Sequence, residues 1–94
     1  MEDDKSAIEA AIKEFILTEF LPGENPAALT STTALVTTGI LDSIATLKVV
    51  GFLEERYGVT IAPHEMDVEN LNTVADMARL IGSKRGSQHG RPQA

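Results

Sequence analysis

Hydrophobic residues recur with helical spacing near the start of the chain. They stand at positions i, i+3, i+4, i+7 and i+8, namely Ile8, Ala11, Ile12, Phe15 and Ile16. This spacing predicts a helix with one apolar face. Ser6 and Glu9 form a capping-box pattern at its start, and Pro22 followed by Gly23 marks its end. The first predicted element is therefore an amphipathic helix from about Ser6.

Two further stretches have the same period. The second predicted helix runs from about Ser43 to Tyr57 and ends before Gly58, a residue suited to the conformation that terminates helices. The last begins at Asn72 or Thr73, where Thr73 and Asp76 form a T-x-x-D cap, and it is expected to stop at Gly82. The apolar faces consist of Val49, Val50, Leu53 and Tyr57 in the second helix and Val74, Met77, Ala78 and Ile81 in the last.

The connections between these helices differ in character. Residues 22–42 are rich in Pro, Gly and Thr, yet they include apolar residues that favour an ordered loop lying across the helices. Val59–Ile61 is β-branched but has no second strand to pair with, so we expect an extended connector whose apolar side chains fill the core. A weak helical turn is expected at His64–Glu69. The predicted fold is all-α: a small bundle of three main helices plus a short fourth helical turn, with a long loop between the first two helices.

The 94 residues fit one domain, and their charge is unevenly distributed. Residues 1–81 contain 5 basic and 14 acidic residues, a net charge of 5 − 14 = −9, whereas Lys84, Arg85 and Arg91 give the remainder +3. We predict a disordered N-terminus at 1–5, a folded domain at 6–81 and a disordered basic tail at 82–94.

Composition argues against several classes of function. The acidic body would repel nucleic acid, and no apolar run approaches the roughly 20 residues of a membrane span. The acidic start is unlike a secretory signal, and the chain has no cysteine for disulfides or a thiolate metal site. We therefore expect a cytoplasmic protein that binds neither nucleic acid nor membrane, with no metal site.

Ser43 is the residue with the most informative surroundings. Its plain interpretation is the N-cap of the second helix, a role that Asp42 could also fill. A nucleophilic enzyme would need a nearby base, and only His64 and His89 are available, so no catalytic residue is predicted. A serine modified by another enzyme is the third interpretation, because an attached phosphate would meet free backbone N–H groups at a helix N-terminus.

A longer pattern around Ser43 resembles a known family. It consists of Leu35-x3-Gly39-Ile40-Leu41-Asp42-Ser43-Ile44, then Leu47, Val50, the run Phe52-Leu53-Glu54-Glu55-Arg56-Tyr57-Gly58-Val59, and Asn70-Leu71-Asn72-Thr73-Val74. In order and separation these landmarks resemble the acyl carrier proteins, the phosphopantetheine-binding domains, over about residues 6–81.

The resemblance implies a carrier protein and not an enzyme. Ser43 would bear a covalent 4′-phosphopantetheine arm added from coenzyme A by a phosphopantetheinyl transferase, and the arm's thiol would hold an acyl or aminoacyl group as a thioester. Further partners would be a loading enzyme and a downstream acyltransferase or synthase, and the protein would be a monomer. The resemblance also implies a partner-recognition surface made of Asp42, Ile44, Leu47, Lys48, Glu54 and Glu55.

The pattern departs in one respect from carriers of fatty-acid synthesis. Those proteins resemble one another in having acidic residues along the exposed face of the second helix, where this chain has Ala45 and Lys48. The resemblance therefore favours a discrete carrier of specialised metabolism, in a polyketide or nonribosomal peptide pathway. A fatty-acid synthesis carrier and an unmodified helical interaction module are the alternatives.

Overall fold

The computed structural model describes the backbone of residues 5–89 and the side chains of residues 5–25 and 27–85. Its α-helices are α1 Lys5–Phe20, α2 Ser43–Tyr57, α3 Val68–Leu71 and α4 Val74–His89. Short 3-10 turns lie at Pro26–Ala28 and Pro63–Glu65. No strand occurs in residues 5–89, which confirms the all-α bundle, and α3 with the second 3-10 turn replaces the single turn expected at His64–Glu69. None of the helices described is long and apolar enough to cross a membrane.

The core is formed by the predicted apolar faces of α1, α2 and α4. The residues buried there are Ile8, Ile12 and Ile16 from α1, Val49, Val50 and Leu53 from α2, and Val74, Met77, Ala78 and Ile81 from α4. Beside them the rings of Phe15 and Phe52 stack with centroids 4.2 Å apart, which joins α1 to α2. Helices this short are marginal alone, so the burial of these faces is what stabilises them.

The helix ends follow local chemistry. Gly58 has φ 66°, a left-handed conformation that costs glycine little, and its N–H donates to the Glu54 carbonyl at 2.9 Å. The Thr73 hydroxyl oxygen accepts a hydrogen bond from the Asp76 N–H at 3.0 Å, as the T-x-x-D pattern predicts. Ser6 is not a cap, however, because α1 already includes Lys5.

The long loop is ordered against the core. Leu29, Leu35 and Leu41 are buried, which confirms that the loop lies across the helices. Asn72, between α3 and α4, holds the loop from the other side, because its Oδ1 accepts hydrogen bonds from the N–H groups of consecutive residues. These donors are Leu35, Val36 and Thr37, at 3.2, 2.9 and 3.1 Å. The segment that leads into α2 is thus anchored to the start of α4.

The connector after α2 is extended, as predicted. Val59 and Ile61 are buried on either side of exposed Thr60, so the connector fills the core without pairing as a strand. The Glu54 carboxylate, Oε2, accepts a hydrogen bond from the Ile61 N–H at 2.8 Å. This contact fixes the connector against the end of α2.

The prediction that α4 stops at Gly82 is wrong. The helix continues to His89, and in residues 5–89 a positive φ occurs only at Gly23, Gly39 and Gly58. Gly82 is therefore in the helical conformation, and the turns beyond it are attached to the body through Lys84 and Arg85.

Lys5 of the expected disordered N-terminus belongs to α1. Residues 1–4 and 90–94 lie outside the described residues, and a domain limited to 6–81 remains a prediction.

Candidate functional site

The start of α2 is capped by Asp42 and not by Ser43. The Asp42 backbone is extended, with φ −81° and ψ −173°, and its Oδ1 accepts a hydrogen bond from the Ala45 N–H at 2.8 Å. The Asp42 carbonyl accepts hydrogen bonds from both the N–H and the hydroxyl of Thr46, each at 2.8 Å. The interpretation of Ser43 as the N-cap is therefore wrong, because the alternative capping residue, Asp42, fills that role.

Ser43 is the first residue of α2, and its side chain is exposed. Within the described residues its hydroxyl makes no hydrogen bond, and neither do the N–H groups of Ser43 and Ile44. Free N–H groups and the positive end of the helix dipole stabilise an anion by roughly 0.3–1 kcal/mol at an exposed site. The site thus combines an accessible hydroxyl with a local preference for negative charge, which suits a phosphate ester.

A groove of about 610 Å³ opens beside Ser43, between the long loop, α2 and α3. Its walls are mainly apolar and consist of Val36, Leu41, Leu47, Val50, Met66, Val68 and Leu71. Gly39, Asp42, Ser43, Thr46 and Asp67 complete the lining. This volume lies in the range of about 300–1,000 Å³ that is typical of small-molecule sites. A group attached to Ser43 would therefore have an apolar surface of suitable size next to it.

Large apolar side chains are exposed around the same serine. Ile44 is 68% exposed, Leu47 60% and Val68 45%. Leu47 and Val68 border the groove, while Ile44 borders a smaller recess of about 300 Å³. That recess is formed by Phe20, Ile40, Asp42, Ile44, Ala45 and Lys48. Apolar surface on both sides of Ser43 indicates an area that other molecules contact.

Five of the six predicted recognition residues are exposed. Four of them lie near Ser43, namely Asp42, Ile44, Leu47 and Lys48, and Glu55 lies farther along α2.

Ala45, by contrast, is only 8% exposed. The interpretation that Ala45 replaces an acid on the exposed face is therefore wrong, because this position faces the core.

Glu54 has a structural contact that the sequence does not predict. It is half-buried, and the hydrogen bond from the Ile61 N–H occupies its carboxylate. Of the two glutamates proposed for partner recognition, Glu55 is thus the one that is exposed and makes no hydrogen bond or ion pair with other described residues.

The groove residues Val36, Met66 and Val68 are site residues that sequence analysis misses. Tertiary packing brings them together from the loop, the turn and α3, and a four-residue helix is too short to show a periodic pattern. His64, a candidate base, is exposed in the 63–65 turn and does not line the groove. The His89 side chain lies outside the described residues.

Comparison with known proteins agrees with this geometry. Residues 21–81 match the family model described as "Phosphopantetheine attachment site". The chain is also 35% identical over 74 residues to "Probable acyl carrier protein PigG" of Serratia sp. (strain ATCC 39006), an alignment that covers 79% of this chain and 84% of that relative.

These matches define the type of molecule. The cofactor of the attachment-site family is covalent 4′-phosphopantetheine. The exposed hydroxyl at the N-terminus of α2, which makes no hydrogen bond to the described part of the chain, fits such a group. The protein is a carrier and not an enzyme, so a phosphopantetheinyl transferase modifies it and biosynthetic enzymes use it. The chain belongs to the acyl carrier protein family.

Proposed function

We propose that Ser43 is the attachment point and that the protein presents a thioester-bound acyl or aminoacyl group to biosynthetic enzymes. The single observation that carries this proposal concerns the side chains at the start of α2. Asp42 caps the helix, which leaves the Ser43 hydroxyl exposed and free of hydrogen bonds within the described residues. The arm's thiol supplies the thioester chemistry. The chain itself supplies the oxygen, the anion-stabilising N–H groups and the apolar groove.

The attachment is tested with the unmodified protein, coenzyme A and a broad-specificity phosphopantetheinyl transferase. We expect the intact mass to rise by one phosphopantetheine group, and fragmentation to place that mass on Ser43. Omission of the transferase should leave the mass unchanged, since no histidine is among the described side chains that line the groove beside Ser43. An unmodified interaction module is the correct alternative if no transferase changes the mass.

The partner surface that we propose surrounds Ser43. Asp42, Ile44, Leu47 and Lys48 present a carboxylate, two apolar side chains and an ammonium group within the first turns of α2. Because the charges of Asp42 and Lys48 are opposite and sum to zero, while Ile44 and Leu47 are largely exposed, we infer that contact there depends mainly on apolar burial. Glu55 would add electrostatic attraction to a basic partner at a distance from the serine.

Reversal of charge at Glu55 tests this electrostatic contribution. Glu55→Lys should slow association with the transferase by roughly two- to fivefold at low salt, and the effect should shrink as salt screens the charges. Stopped-flow association rates at two ionic strengths measure it. Glu19→Lys is the matched control, because Glu19 is also exposed but lies on α1. Equal rates for both variants at low salt would exclude a recognition role for Glu55. Glu54 is unsuitable for this test because of its bond to Ile61.

We propose specialised metabolism, of the polyketide or nonribosomal peptide type, as the setting of this carrier, with a monomer in the cytoplasm as its working form. Exposed Ile44, Leu47 and Lys48 support this setting, since an acidic surface near the serine would be expected for fatty-acid enzymes. Mass spectrometry of the species bound to the arm in the native host decides the matter. An aminoacyl or unusual short acyl group supports the proposal, whereas a series of growing saturated chains supports fatty-acid synthesis.

A further inference from the structure

The part of α4 beyond Gly82 is attached to the 63–65 turn by an ion pair. Lys84 Nζ lies 2.7 Å from Glu65 Oε1, and the two side chains are only 19% and 22% exposed. Arg79 and Asp76 form a pair at 2.9 Å on the same helix, but Arg79 is 62% exposed. Exposed pairs contribute little to stability, and partly buried pairs are screened much less by salt. The Lys84–Glu65 pair is therefore the stronger candidate for a structural role.

Glu65 connects this ion pair to the turn and to α3. Its Oε1 also accepts a hydrogen bond from the Ala62 N–H at 2.8 Å, and its carbonyl accepts one from Asn70 Nδ2 at 2.9 Å. The hydrogen bond from Lys84, followed by that from Ala62, lowers the pKa of the Glu65 carboxyl group below its ordinary value. Glu65 is thus ionised at neutral pH, where it accepts from both donors.

The residues that follow Glu65 form one wall of the Ser43 groove. Met66, Asp67 and Val68 all line it. The wall includes α3, which has only four residues and is far too short to be stable alone. The wall therefore depends on its attachments, which include the buried side chain of Leu71, the packing of Met66 against the core and the hydrogen bonds at Glu65.

A second contact holds the same part of α4 in place. The Arg85 guanidinium lies over the Tyr57 ring, 5.7 Å from its centroid, at the end of α2. A cation over an aromatic ring is attracted by the negative face of the ring, more strongly when water is excluded. Arg85 thus attaches the turn of α4 that carries Lys84 to the end of α2.

We propose that Lys84 is a positioning residue for the Ser43 groove. Through Glu65 it holds the 63–65 turn, and with it Met66 and α3, in the place where the groove wall forms. Residues 82–85, which lie beyond the 21–81 family match, are then part of the working carrier. The effect on the wall does not depend on whether Ser43 is modified. Only the consequence for loading rests on the proposed function.

Amide hydrogen exchange on the unmodified full chain tests the effect on the wall. Lys84→Gln should speed exchange in Met66–Leu71 by about three- to tenfold, because the ion pair no longer opposes local opening, while exchange in α1 stays the same. Lys84→Arg should restore slow exchange. Arg79→Gln, which removes the same charge from an exposed pair on α4, should have no effect on the wall. Unchanged exchange in Lys84→Gln, or faster exchange throughout the chain, would overturn the proposal.

The kinetics of modification provide a readout that a loss of overall stability does not reproduce. With Lys84→Gln the KM for the transferase should rise about threefold while kcat stays the same, because a mobile wall must be ordered on binding. Lys84→Arg should return KM to the wild-type value. An unchanged KM overturns the role in loading. If the wild type is not modified at all, the proposed function fails, whereas the exchange experiment still decides the role of Lys84.

Discussion

Replacement of Ser43 with alanine should abolish the gain of the phosphopantetheine mass and leave the fold intact. Loading disappears because the only atom removed is the oxygen to which the arm would be attached. The free energy of unfolding should change by no more than about 0.5 kcal/mol, since the side chain is exposed and its hydroxyl makes no hydrogen bond within the described residues. Intact mass after incubation with the transferase and urea denaturation measure the two quantities.

Two other substitutions show whether this result is specific. Ser83→Ala removes a hydroxyl from an exposed serine of α4 and should leave loading complete. Asp42→Ala removes the cap and should lower the free energy of unfolding by about 0.5–2 kcal/mol. A Ser43→Ala variant that still gains the arm would refute the assignment of the site. A variant as destabilised as Asp42→Ala would indicate that Ser43 has a structural role after all.

Local signals in the sequence are sufficient to predict where the three main helices lie, whereas Ser43 is singled out by the longer pattern that resembles the carrier family. Apolar periodicity identifies the buried faces, and Gly58 and Thr73 end and begin helices as their chemistry suggests. The Asp42-Ser43 pair indicates the start of a helix, because both residue types are common N-caps. Which of the two caps the helix depends on the backbone angles of Asp42, so the sequence leaves both possibilities open.

Features that depend on tertiary packing could not be predicted in this way. Gly82 is a residue type that often ends helices, but α4 continues past it. Beyond Gly82, Lys84 and Arg85 contact Glu65 and Tyr57, which are distant in sequence. The resemblance to fatty-acid carriers places Ala45 on the exposed face of the second helix, yet the residue faces the core. The groove wall has no local signal, because its residues meet only after the loop, α2 and α3 have packed.

The role of Asn72 also depends on tertiary packing and could not be predicted from the sequence. Its replacement has the largest expected effect on stability. Asn72→Ala should lower the free energy of unfolding by about 2 kcal/mol, because loss of Oδ1 leaves the part-buried Val36 N–H without its acceptor and removes that of Thr37 as well. The Leu35 N–H keeps the Asn72 backbone carbonyl, at 2.7 Å, so the loop should loosen and not detach. Urea denaturation measures the change.

A second asparagine provides the control for the hydrogen bonds that the Asn72 side chain accepts from the loop. Asn25 Oδ1 accepts a hydrogen bond from the Ala27 N–H at 2.9 Å, but in an exposed turn where water can replace it. Asn25→Ala should therefore cost only a few tenths of a kcal/mol, as is usual for surface substitutions. Asn72→Asp keeps an acceptor oxygen and should retain more than half of the stability that alanine loses. Equal losses for Asn72→Ala and Asn25→Ala would show that the Asn72 side chain does not hold the loop, which brings Val36, Gly39 and Leu41 to the groove.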